Sequence, residues 1–61
     1  MANLTQKELT ALEDALGHEA LLVKKFRSYA CSATDPAIKD QAEQIACRHK
    51  QHFDTLMGHL Y

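Results

Sequence analysis

The chain has 61 residues, enough for one domain at most, and its 46% apolar and 25% charged content describes a folded protein, not a disordered one. Its net charge is −1 and its basic residues form only two mild clusters, Lys24, Lys25 and Arg27, then Arg48 and Lys50, which argues against a nucleic-acid partner. No apolar run approaches the roughly 20 residues of a membrane span, and the N-terminus carries no secretory-type apolar segment, so the sequence predicts a cytoplasmic protein with no membrane partner.

The first predicted element opens at Thr5. Thr5 and Glu8 stand in the T-x-x-E spacing of a capping box, in which each side chain satisfies the other's orphan backbone amide. Leu4 and Leu9 flank that cap at hydrophobic-staple positions. From there the pattern predicts a helix over about 6–32 with no proline; Gly17 is its weak point, costing about 1 kcal/mol against alanine. The run Ser32-Ala33-Thr34-Asp35-Pro36 is the connection. Thr34 or Asp35 can cap the next helix, and Pro36 suits its first position, where no amide hydrogen is needed. The second helix is expected over about 36–57, with Gly58 as its stop and Leu60 and Tyr61 as a packing tail.

Each helix carries an apolar stripe with alternating steps of three and four. On the first it runs through Leu9, Leu12, Leu16, Glu19, Val23, Phe26 and Ala30, and on the second through Ile38, Ala42, Ile45, His49, His52 and Leu56. If the chain turns back near residues 33–35, Phe26 lies level with Ala42, Val23 with Ile45, and Glu19 with His49. His52 follows one turn on, level with Leu16. The three polar interruptions thus fall at one height, where an ionisable group is costly unless paired or bound to a metal.

Leu22 and Tyr29 flank the first stripe, and Ala46, Phe53 and Leu60 flank the second. Seam plus flank is the pattern of a bundle helix, and a chain this short buries only about 60% of its extended surface. Two helices alone are therefore a poor core. The expected fold is all-α: an antiparallel helical hairpin that pairs with a second copy as a homodimer to complete a four-helix bundle.

His49 and His52, three apart, can converge on one ion, and Glu19 adds an oxygen from the facing helix. Imidazole with carboxylate suits zinc, iron, copper or manganese. Two other readings of the same residues stand beside this one. One is a metal-free buried hydrogen bond that specifies register. The other places the histidines at a wet rim. Glu13 and Glu43 fall off the stripe and read as solvated, His18 beside Glu19 reads as exposed rather than as a supporting partner of the centre, His59 near the helix end has no assigned role, and Tyr29 reads as packing with its hydroxyl at the edge. Cys31 and Cys47 also lie off the stripe. They stand about ten residues apart in height, ~15 Å of helix, too far for a disulfide within the hairpin.

The run from Ile45 to Phe53, with Glu19 upstream, resembles half of a ferritin-like bundle of the rubrerythrin kind. There the first helix of each pair carries a glutamate and the second an E-x-x-H. Glu19 matches the first glutamate and His52 the histidine; His49 stands where the motif has its second glutamate. Along nearly its whole length the chain also resembles the short spore-coat F-like proteins of endospore-forming Firmicutes, members of that superfamily. The resemblance implies a coat-associated structural protein, with other spore-coat proteins as partners, and a divalent-metal site at Glu19, His49 and His52. A redox enzyme or metal store, and a metal-free dimerisation module, are the alternatives. His49 in place of a glutamate leaves too few carboxylates to neutralise two high-valent irons, which argues against oxygen chemistry. No nucleophile, phosphate loop or acid–base pair in a cleft points to other catalysis.

Overall fold

The computed structural model describes residues 3–60. Two helices, α1 (Gln6–Ser32) and α2 (Pro36–Met57), pack antiparallel as a hairpin rod of 46 × 14 × 10 Å, and no strand occurs among the described residues. No helix among the described residues is long and apolar enough to cross a membrane.

Both helix starts are built as their capping chemistry dictates. Thr5 Oγ1 accepts from the Glu8 amide at 3.1 Å and Glu8 Oε1 accepts from the Thr5 amide at 3.1 Å, a closed capping box. These bonds, the Thr5 amide first and its side chain second, hold the Glu8 carboxyl below its usual range. Leu4 and Leu9 are half-buried on either side. At α2, Asp35 is the cap, accepting from the Ala37 amide at 2.8 Å, and Pro36 opens the helix. Gly58 ends α2 in right-handed helical geometry (φ −61°, ψ −21°), and its amide bonds back to the Asp54 and Thr55 carbonyls. Leu60 is half-buried, its amide bonded to the Met57 carbonyl in a turn that continues the helix end; the expected packing of Tyr61 lies outside the described residues.

The seam of α1 is as its stripe predicts: Leu16 and Ala30 are buried, and Leu9, Leu12, Glu19, Val23 and Phe26 are half-buried. On α2 the seam is rotated from the expected one. Ala42 and Ala46 are buried, His49, Phe53, Leu56 and Leu60 follow half-buried, and Ala46 is only 2% exposed. Ile38, expected in the stripe, is 57% exposed, and Ile45 is half-buried. The reason is geometric. Ala42, His49 and Leu56 have an apolar flank on each side, Ile38–Ile45 on one and Ala46–Phe53–Leu60 on the other. One facing helix can cover only one flank, and the small Ala46 lets α1 come close on its side.

A candidate metal centre

Midway along the rod the side chains of Glu19, His49 and His52 converge, as their shared height requires. One ligand atom from each lies within 4.8 Å of the others. Glu19 divides its carboxylate between the histidines: His49 Nδ1 stands 2.7 Å from Oε2, and His52 Nδ1 stands 3.6 Å from Oε1. The first is a hydrogen bond of charge-assisted length; the second is an approach just beyond one. Helix spacing explains the arrangement, since His49 and His52 are one turn apart on α2 and Glu19 faces them from α1.

Burial grades across the three. The Glu19 side chain is 17% exposed, that of His49 22%, and that of His52 59%. The cluster therefore has a protected floor and an open mouth. Phe26 closes the floor: its ring stacks on His49 with centroids 6.0 Å apart and planes at 19°, and Tyr29 meets Phe26 edge-on at 5.6 Å. His49 and His52 are themselves edge-to-face at 5.6 Å. The contact of Phe26 with His49 was not among the sequence expectations. Its signal lies in the stripe, where Phe26 stands seven residues after Glu19, and in the lean of helical side chains toward the helix N-terminus.

The donor set fits a small divalent cation. Ligands about 2.0–2.1 Å from a tetrahedral ion lie a little over 3 Å from one another, so the separations seen here need only side-chain adjustment. Three protein ligands leave one position open, and the open mouth at His52 is where it would lie. Two nitrogens and one oxygen suit zinc, ferrous iron, copper or manganese. An ion held on these atoms would take the place of the 2.7 Å hydrogen bond between His49 Nδ1 and Glu19 Oε2.

The other sequence-weighted residues lie elsewhere. His18, His59, Glu13, Glu43, Cys31 and Cys47 are exposed, and both thiols are free. No protein-family model, curated protein or solved structure matches the chain.

Proposed function

We propose that this hairpin is one half of a ferritin-like four-helix bundle, completed by a second copy, whose core holds a divalent metal ion on Glu19, His49 and His52. The observation that carries the reading is the convergence of three potential ligands at one height, Glu19 and His49 half-buried in an otherwise apolar seam and His52 at its open edge. The ion's part is structural. The E-x-x-H pattern with histidine in its first position supplies nitrogen where the oxygen-activating di-iron site has a bridging carboxylate. The role that follows is that of a small assembly protein, of the kind a spore coat uses.

Pairing is supported by what the hairpin leaves uncovered. Among the described residues the buried ones are one leucine and three alanines, a small core for a free-standing domain. The side that carries the cluster also carries Leu22, Phe26, Tyr29, Ile38 and Ile45. Leu22 lies between Glu19 and Phe26 in helical spacing, and Ile45 lies one turn before His49. An apolar strip of this kind calls for a cover. A second copy applied there would cover the mouth at His52 and could fill the open coordination position.

The metal-free dimerisation module is the second reading, favoured by the hydrogen bond that Glu19 and His49 already make. The two separate cleanly. Protein purified without affinity tag or chelator, and analysed for metals, is expected to carry zinc or a similar ion in stoichiometric amount. Glu19→Ala and His52→Ala should each lose it. Stoichiometric iron with an oxygen-dependent spectral change would instead make the protein a redox enzyme or store. Unchanged metal content in both variants would refute the site, and absence of metal with no thermal stabilisation by any added ion would leave the packing role alone.

A further inference from the structure

The opposite side of the hairpin is of a different kind. Arg27, Cys31, Glu43, Ala46, Cys47 and Lys50 line an open groove there, of about 400 Å³. It continues into a shallower depression walled by Ala20, Val23, Phe53 and Asp54. Large apolar side chains are sparse on this side, and charges are dense. Their order is what matters.

Along α2 the groove-side row runs Lys39, Glu43, Ala46–Cys47, Lys50, Asp54, in steps of three and four that keep all of them on one face. Lys39 and Asp54 are equally distant from the midpoint between Ala46 and Cys47, and so are Glu43 and Lys50. Each such pair has opposite signs. The row is thus its own electrostatic complement when reversed end to end. On α1, Glu13 stands seven residues before Ala20 and Arg27 seven after, again equally distant and opposite in sign. Ala20 lies within about two residues of the height of the α2 midpoint, so one centre serves both helices. Within the hairpin, Lys50 pairs only with its neighbour Asp54, at 3.2 Å, and Glu13, Arg27, Lys39 and Glu43 make no ion pair among the described residues.

We infer that this groove is a second self-association face, taken by another copy of the chain packed antiparallel about a two-fold axis between Ala46 and Cys47. A two-fold interface requires a patch that is complementary to itself on rotation, and this patch has that property. Glu43 then meets the partner's Lys50, Asp54 meets the partner's Lys39, and Arg27 meets the partner's Glu13. The centre is made of the small exposed residues Ala20 and Cys47, with the buried Ala46 beneath them, and such a surface lets helices approach to the lower end of the roughly 8–10 Å range. Cys47, half a residue from the axis, then faces the partner's Cys47 within the ~4.4–6.8 Å Cα separation of a disulfide. Cys31 lies far from the axis and has no counterpart. The face does not involve the Glu19 cluster, so the inference does not depend on metal binding. If both faces are used, pairs joined through the cluster side are linked into longer assemblies through this one.

The test is oxidation of the purified full chain with diamide. Two thiols lose two protons and two electrons to the nitrogen–nitrogen double bond of the reagent, which becomes a hydrazine, while the sulfurs join. The expected product is a reducible dimer whose cross-link maps by mass spectrometry to Cys47 with the partner's Cys47. Cys31→Ser should leave it intact, and Cys47→Ser, at an exposed position, should abolish it. Glu43→Lys should slow cross-linking about tenfold, as reversal of interfacial charge slows encounter, and raised salt should slow the unaltered chain. The double variant Glu43→Lys with Lys50→Glu inverts both signs and should restore the rate. A cross-link through Cys31, no cross-link at all, or a double variant as slow as the single one would overturn the inference.

Discussion

The two sides of this hairpin differ in what they lack. The cluster side presents Leu22, Phe26, Tyr29, Ile38 and Ile45 around three ligand-type residues, and lacks a facing helix over that apolar strip. The groove side presents paired charges and two free thiols around small side chains, and is short of hydrocarbon. Both belong to the same two helices and the same seam. The difference comes from which flank of α2 the lone facing helix covers. Burying Ala46 and Phe53 leaves the isoleucine flank and His52 outside, on the side where a second hairpin can use them. A rotation of α2 by a fraction of a turn thus decides which flank of the hairpin stays uncovered.

The comparison breaks most visibly at Ile45. Ile45→Asp places a charge in the apolar strip and is expected to weaken the proposed dimerisation through the cluster side by more than a hundredfold, about 2.7 kcal/mol, read by sedimentation equilibrium. Glu43→Ala, in the groove, should instead weaken only the association through that side. Next is Ala46, which sets how close the helices come and hence which flank is buried. Ala46→Leu overpacks the seam and is expected to cost roughly 1–3 kcal/mol in chemical denaturation. The Asp35 cap supports both sides equally: Asp35→Ala should cost about 1 kcal/mol without altering metal content or cross-linking.

Two smaller effects sharpen the contrast. A Cβ at Gly17 would meet nothing within 4 Å, so Gly17→Ala should stabilise α1 by up to about 1 kcal/mol, seen as a higher melting temperature. The smallest is the acid response of the N-terminal cap. The Glu8 carboxyl is held low in the folded chain, so its contribution is present above the usual carboxylate range and is lost as pH falls through the lowered value. Glu8→Gln should remove that part of the acid dependence, a change visible by hydrogen exchange at the first turn of α1.

Much of this was legible in residue order. The caps follow from T-x-x-E and D-P, and the polar cluster follows from three stripe interruptions at one height. The rotation of α2 was not legible, because its central row has an apolar flank on each side and periodicity weighs them alike. His52 therefore emerges more exposed than its stripe position implied, while Phe26 gains its place against His49 from side-chain lean, which a list of stripe positions does not carry. The charge symmetry of the groove was present in the sequence, but it acquires meaning only once the structure shows which side stays open.

The central claim is that Glu19, His49 and His52 act together on one ion. It is tested most directly by following the four histidine rings by NMR while zinc is added to metal-free protein. The expected result is that His49 and His52 shift together and saturate at one fixed zinc-to-chain ratio, while His18 and His59 stay in place, and that Glu19→Ala removes the response. Equal, unsaturating shifts at all four rings, or none at His49 and His52, would contradict it.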